Sequence, residues 1–297
     1  MIDPKIRTLL MVDAMGSYTK AAQALSLTQP AVSHHIKLLE QELGVTIFYK
    51  KKTRLKPTPE GEILLQYARR AAALEDQMRQ ALEDNRRSLR TLTVGITPTA
   101  ADILVPQILA RYCATHPGVR FHIVTGPIKS INSMLRSYEV DFAIVDGVLR
   151  GEHYTSLLID TDYLCLVVSP EHPFSHRKSI SLDELMLEKL VIRPKKTGTR
   201  KLLEGYLISH GLNIADFNVI MEVDSVSTIK ELVASNLGVT IISHSACEAE
   251  VHAGRLCVIP IENCRMVRDI NLVYNEQCLC LDVIDDICRQ YASLRQR

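Results

Sequence analysis

The sequence predicts a mixed chain: a small helical head with a two-stranded wing, then one long helix, then an α/β domain. Three observations carry this. Residues 17–43 hold two helical stretches joined by a tight turn. Apolar residues then recur at alternating spacings of three and four through Leu64, Tyr67, Ala71, Leu74, Met78 and Ala81, a coiled-coil rhythm. From Thr91 onward, short β-rich runs alternate with helical patterns, which predicts parallel α/β architecture. A chain of 297 residues with 46% apolar and 23% charged residues has enough apolar surface for two or three ordered domains.

In the head, Pro4 to Met15 is a first helix whose Ile6, Leu9, Leu10 and Val12 form one face. Gly16 ends it, and Ser17 can cap the next helix, its hydroxyl accepting a free backbone N–H. Ala21, Ala22 and Ala24 let a neighbouring helix approach closely. Ser26 and Leu27 make the turn, Thr28 is the next cap, and Pro30 sits in the first turn, where a missing N–H costs nothing. Val32, Ile36, Leu39 and Leu43 then recur at helical spacing as an apolar stripe. The opposite face offers Gln29, Ser33, His34 and Lys37, with no carboxylate before Glu40; such a face can meet base edges and phosphates. Gly44 stops the helix. The β-rich run Val45 to Tyr49 and the basic stretch Lys50, Lys51, Lys52 and Arg54 predict a ribbon with a cationic tip suited to phosphates or a minor groove.

The run GSYTKAAQALSLTQPAVSHHIKLLEQELGVTIFYKKKTRLKPTPEG resembles the N-terminal domain of LysR-type transcriptional regulators. The match falls on Gly16, Ser17, Ala21, Ala22, Leu25, Gln29, Pro30, Ala31, Val32, Ser33, Ile36, Leu39, Glu40, Leu43, Gly44 and Phe48, unbroken over about 45 residues. The chain departs from the family at Lys50, where Arg is usual, and in Leu55 to Gly61. The resemblance implies a winged helix-turn-helix that contacts double-stranded promoter DNA through Ser17, Gln29, Pro30, Ser33, His34, Lys37, Lys50, Lys51, Lys52 and Arg54. His34 and His35 are expected to choose the bases.

Residues 1–58 are therefore assigned to the head and 59–90 to a linker helix, capped by Thr58 with Pro59 and Glu60 in its first turn. Its apolar seam and charged outer face predict homodimerisation, and linking two heads adds avidity for DNA. Residues 91–297 form the α/β domain. Strands are expected at 91–97, 119–125, 141–145, 163–169, 190–192, 219–222, 239–242, 256–259 and 270–274. Helices are expected at 103–116, 129–138, 199–210, 227–236 and 282–294. The resemblance implies an effector domain similar to periplasmic binding proteins, with two Rossmann-like subdomains, 91–161 plus 266–297 and 162–265, crossing near Thr161 and Cys264.

Charge is unevenly spread. Residues 1–60 carry nine Lys/Arg against five acids, a net +4; residues 61–90 carry +1, and the remainder −4. A basic head on an acidic body meets a polyanion with the head alone. No apolar run approaches the ~18 residues of a membrane span, and the start lacks a signal-peptide layout. The expectation is a cytoplasmic protein whose eight cysteines are reduced thiols.

The body carries no GxGxxG, GxxxxGK, GxSxG or HExxH, and no metal or cofactor site is expected. His172 and His176 are four apart, but Pro173 breaks the helix that would align them. Ligands of open α/β sheets sit beyond the carboxyl ends of strands, at helix N-termini. That rule selects Thr97, Pro98 and Thr99, then Ser130, Asp146, Thr197 and Thr199, for a small anionic effector in the cleft. The expected protein is thus a non-enzymatic, effector-controlled DNA-binding regulator, a homodimer or homotetramer, with RNA polymerase as a further partner. Two rivals stay open: an enzyme that the head only tethers, and an architectural DNA binder without effector.

Overall fold

The basic N-terminal stretch folds where its capping residues direct. The computed structural model describes residues 1–51, 54–149, 151 and 153–295. The chain divides into two compact units. One holds Met1–Thr93 with Pro117–His122 and Ser133–Asp141, and the other holds the rest.

The first unit begins with α1 (Pro4–Met15), α2 (Tyr18–Ala24) and α3 (Gln29–Leu43). Asp3, Ser17 and Thr28 cap them through side-chain oxygens, and Gly16 and Gly44 close α1 and α3 in the left-handed region at φ 61° and 67°. An L side chain reaches that conformation only with strain. Leu9, Val12, Ala21, Ala22, Val32, Ile36, Leu39, Ile47 and Phe48 form the core with Leu65 and Ala68 of the following helix. Leu43, expected on the apolar stripe, is 51% exposed, because the core ends one turn earlier, at Leu39. The wing is β1 (Phe48–Lys51) against β2 (Arg54–Pro57), antiparallel from Phe48↔Pro57 to Lys51↔Arg54.

Helix α4 (Pro59–Arg87) follows, with Glu60 and Glu62 in its first turn and Arg86 and Arg87 in its last, each complementing the helix dipole. Gly61 is required by close approach: a Cβ there would lie 2.2 Å from the Ile47 carbonyl oxygen. One face of α4 packs inward. Gln77 donates to the Tyr138 carbonyl at 2.9 Å, and Arg70 to the Arg136 carbonyl at 3.0 Å. Asp84 accepts from the Thr91 amide at 2.6 Å. The opposite face leaves Ile63, Tyr67, Leu74, Met78 and Leu82 exposed. Of the residues expected in the seam, Tyr67, Leu74 and Met78 are exposed, whereas Leu64 is half-buried against the head core.

The strands from residue 90 onward form a mixed sheet. Its order is β4 (Val119–Thr125), β3 (Arg90–Ile96), β5 (Phe142–Asp146), β11 (Val267–Asn275), β6 (Tyr154–Val168), β9 (Val239–Ser243), β7 (Leu190–Ile192) and β8 (Val219–Glu222), with β10 (Cys257–Ile259) paired to β6. Pairs β3–β5, β7–β9 and β7–β8 are parallel. The alternation of strands and helices pointed to parallel pairing, and β6 and β11 are the exceptions that run antiparallel to their neighbours. These are the two strands that cross between the sheet halves. β6 is fifteen residues long, and its first part pairs with β11 while its last part pairs with β9 and β10. The apolar run Tyr163–Ser169 is thus only the buried end of a longer strand, whose polar first half gave no alternating signal.

The helices are α5 (Pro98–Leu104), α6 (Ala110–Thr115), α7 (Ile128–Arg136), α8 (Leu182–Met186), α9 (Gly198–Ser209), α10 (Val226–Ala234), α11 (His244–His252) and α12 (Leu281–Arg295). The first helix starts at Pro98, not Ile103, and reaches α6 through a π-turn at Val105–Leu109. Pro106 has no N–H to give the regular ladder, which accounts for the wider turn. Helices α8 and α11 escaped the sequence reading. Beyond β6 the core gathers Leu164, Leu166, Val168, Ile192, Leu203, Ile241 and Met266 on one side of the sheet, and Cys165, Val167, Val191, Ile229, Val233 and Cys247 on the other.

Candidate DNA-binding surface and ligand cleft

On α3, Gln29, Pro30, His34 and Lys37 are exposed and Ser33 is half-buried. Ser17 is half-buried and accepts from the Lys20 amide at 3.4 Å, so its first role is a cap. Lys50, Lys51 and Arg54 are exposed around the wing tip; Lys52 lies outside the described residues. Arg54 lies close to Gly16, where a Cβ would stand 3.2 Å from its Nε. His35 Nδ1 lies 2.9 Å from the Thr8 hydroxyl, which ties the ring to α1.

The acids of this region are already used. Glu40 accepts from the Ile47 amide at 2.8 Å, tying α3 to the start of the wing, and Glu42 pairs with Lys5 at 2.6 Å. The face of Gln29, Ser33, His34 and Lys37 therefore keeps its donors and its cation without a competing carboxylate. Lys20, Gln23 and Thr28 are further exposed polar groups on α2 and at the start of α3 that sequence reasoning left out.

Inside the second unit, the expected ligand residues are brought to the carboxyl ends of β3, β5 and β7, but several are already engaged. Thr97 is buried and accepts from the Asp146 amide at 3.2 Å. Thr197 caps α9 and donates to the Pro194 carbonyl at 2.8 Å. Thr199 is buried, Thr99 half-buried, and Pro98 and Ser130 exposed. Asp146 is held by Arg268 Nη1 at 2.5 Å, while Arg268 Nη2 reaches Asp162 at 3.0 Å. A Cβ on Gly198 would lie 3.3 Å from Asp146 Oδ2, so this carboxylate also faces the first residue of α9.

Asp162 on β6 accepts from the Ser243 hydroxyl and, at 3.4 Å, from the Ser245 amide. Burial raises its pKa, yet the Ser243 hydrogen bond and the Arg268 charge outweigh burial and hold the carboxyl below its usual range. Arg268 Nε is buried without an acceptor. The sequence carried one signal for this cluster: charges inside apolar strands, Asp162 before Tyr163 to Val168 and Arg268 within Val267 to Tyr274.

A cavity of about 610 Å³ opens beside these residues. Pro98, Pro106 and Gln107 line it from α5 and the π-turn, Arg193 from just past β7, Ser225, Ser227 and Lys230 from the cap and first turns of α10, and Ser245, Glu248 and His252 from α11. Its size suits a small organic molecule. Arg193 is buried and pairs at 3.3 Å with Asp224, which is 85% exposed. Lys230 is engaged by Glu250 at 2.6 Å and by the Ala246 carbonyl. Of the residues expected to bind a ligand, Pro98 alone lines this cavity.

A helix-turn-helix head with a cationic wing, joined by a long helix to a cleft-bearing α/β domain, defines a DNA-binding regulator with a ligand-binding domain. The chain belongs to the LysR family: the model of the bacterial regulatory helix-turn-helix protein, lysR family, matches residues 5–62, and the LysR substrate binding domain matches 85–279. It is 30% identical over 277 residues to a probable RuBisCO transcriptional regulator of Thalassiosira pseudonana, covering 91% of this chain and 90% of that protein. A protein of the same description from Guillardia theta is 30% identical, with 91% and 89% covered.

Among solved structures, a full-length OxyR variant from Pseudomonas aeruginosa shares the fold at a TM-score of 0.67 and 21% identity, covering 98% of this chain and 94% of that one. Full-length CbnR complexed with its target DNA shares it at 0.67 and 17%, covering 98% and 100%. The protein is a LysR-type DNA-binding transcriptional regulator with an effector-binding domain, and its family and relatives are regulators rather than enzymes. Among the described residues, no helix is long and apolar enough to cross a membrane.

Proposed function

We propose that the head, 1–58, reads promoter DNA through Gln29, Pro30, Ser33, His34 and Lys37 in the major groove. Ser17, Lys50, Lys51, Lys52 and Arg54 hold the backbone or the minor groove beside it. The observation that carries this is the α3 face: its donors and cation are exposed while Glu40 and Glu42 are bound elsewhere. Linker helices 59–90 pair two chains along Ile63, Tyr67, Leu74, Met78 and Leu82, and dimers assemble further into tetramers. The protein works in the cytoplasm, with RNA polymerase as the partner that reads out its state. The effector domain spans 91–297, its subdomains being 91–161 with 266–297 and 162–265.

The effector occupies the cavity around Pro98, Arg193, Ser225 and Ser245, and Thr99 and Ser130 are further candidate contacts. Arg193 supports an anionic group there, since its Asp224 partner is exposed and can be displaced. Ligand control requires different affinity for two arrangements of the heads. The test is footprinting on the cognate promoter with Ser33→Ala and Lys37→Ala combined. Protection is expected to vanish while the dimer persists, and an unchanged footprint refutes the head assignment.

A further inference from the structure

Cys278 and Cys280 flank Leu279 in the turn from β11 to α12, and their sulfurs lie 3.1 Å apart. That is inside van der Waals contact for two sulfur atoms. The turn is anchored at both ends: the Cys278 amide donates to the Asn275 carbonyl at 2.9 Å, and the Cys280 carbonyl accepts from the Ile284 amide at 3.0 Å. The Cys280 amide also points to Cys278 Sγ, at 3.5 Å. Between them Leu279 is 91% exposed, so the turn itself stands in solvent. Cys278 is half-buried and Cys280 buried, so one sulfur meets a reagent and the other waits behind it.

Cys165 and Cys247 provide an internal contrast. Both are buried, and the hydrogen bond to Cys247, with burial, pushes the Cys165 thiol far above its usual range. Neither sulfur of that pair is open to a reagent, whereas Cys278 is half-buried and can be attacked first.

We propose that Cys278 and Cys280 close a reversible disulfide and make this turn a thiol-modification site for low-molecular-weight disulfides. The Cys278 thiolate attacks the reagent disulfide, forms a mixed disulfide and releases one thiolate. The Cys280 thiolate then attacks the Cys278 sulfur and expels the second. Both thiol protons end on the two released thiolates: the protein loses two hydrogens and one reagent disulfide becomes two thiols. Closing the bond brings the sulfurs together by about 1 Å, and both lie on one turn. A ring closed over a single intervening residue is a strained linkage, and strained, exposed disulfides are the ones that reduce readily. The same turn joins β11, which carries Arg268, to α12, whose Tyr291 hydroxyl donates to Asp160 at 2.5 Å.

The test equilibrates the full-length protein with glutathione disulfide and reads intact mass and peptide maps. The expected result is a loss of about 2 Da, mapped to the peptide that holds Cys278 and Cys280 and reversed by dithiothreitol. Cys280→Ser is expected to retain one glutathione on Cys278 instead. Free thiols at both positions while another half-buried cysteine is modified overturn the proposal. So does a bond from either residue to a different cysteine or to a second chain.

Discussion

Replacing Arg268 with Met isolates the buried ion cluster that spans β5, β11 and β6. The guanidinium holds Asp146 at 2.5 Å and Asp162 at 3.0 Å, and the three side chains are only 7%, 6% and 3% exposed. Removing the cation leaves two buried carboxylates, one of them still served by Ser243. Breaking a buried pair from one side costs about 3–5 kcal/mol. For a domain of this size each kcal/mol moves the melting temperature by roughly 2–4 °C, so a drop of roughly 6–20 °C is expected at pH 7 by calorimetry or circular dichroism.

The pH dependence has a definite sign. In the native protein the Asp162 pKa is lowered, so its contribution is present above the unfolded value and is lost as pH falls through the folded one. In the variant, burial acts without the arginine, and the carboxyl pKa rises. The variant then binds protons more readily when folded, and the gap between the two proteins narrows as pH falls below 7. Arg268→Lys retains the charge but not the fork, and it is expected to recover only part of the loss. A methionine variant within ~1 kcal/mol of the native protein at pH 7, with a parallel pH profile, refutes the cluster as a stabilising element.

Four further outcomes follow from the first unit. Lys37→Ala is expected to reduce the slope of log affinity against log salt by about 1 if this lysine neutralises one phosphate, read by fluorescence anisotropy across a salt series. An unchanged slope removes it from the backbone contacts. Leu74→Asp places a charge on the exposed apolar face of α4 and should give monomers by light scattering; a persisting dimer means the pairing surface is elsewhere. Glu75 is pulled down to about 2 by the Arg79 guanidinium, the Ile2 amide and Arg7. A lowered carboxylate stabilises above its unfolded pKa and loses that contribution as pH falls from about 4 toward 2. Glu75→Gln should therefore flatten the acid-unfolding curve in that window, and an identical curve would sink the attribution. Gly61→Ala meets the Ile47 carbonyl and should loosen the wing, seen as faster amide exchange at Ile47 and Thr58.

The head was legible because local chemistry and tertiary structure agree there. Ser17, Thr28 and Thr58 cap the helices that their positions announce, and Gly16 and Gly44 stop them. For His35, helical spacing gave the residue's face but not its partner, Thr8, which lies far off in sequence. Leu64 and Ile63 both fit a three-four rhythm, and only the head core decides which of them is half-buried. In the α/β unit, periodicity located the buried strands but could not reveal that β6 and β11 cross the sheet antiparallel. Their direction depends on partners more than a hundred residues away. Thr97 and Thr197 fitted the helix-terminus rule, but a hydroxyl that caps a helix or locks a strand has already spent hydrogen-bonding capacity that a ligand would need.

The arrangement of charge in the cleft narrows what a ligand can be. A helix N-terminus attracts an anion, and on that ground α9 looked like an effector site. Here the anion beside it belongs to the protein. Asp146 faces Gly198 and takes Arg268 as its counter-ion, so a free carboxylate entering at that point meets an occupied cation and a like charge. Arg193 is differently placed: it is buried beside the cavity, and its Asp224 partner stands in water. Arg193, just past β7, thus lines the cavity, while the carboxylate of Asp146 faces the start of α9. The Asp146–Arg268–Asp162 bridge instead ties β5, β11 and β6 together.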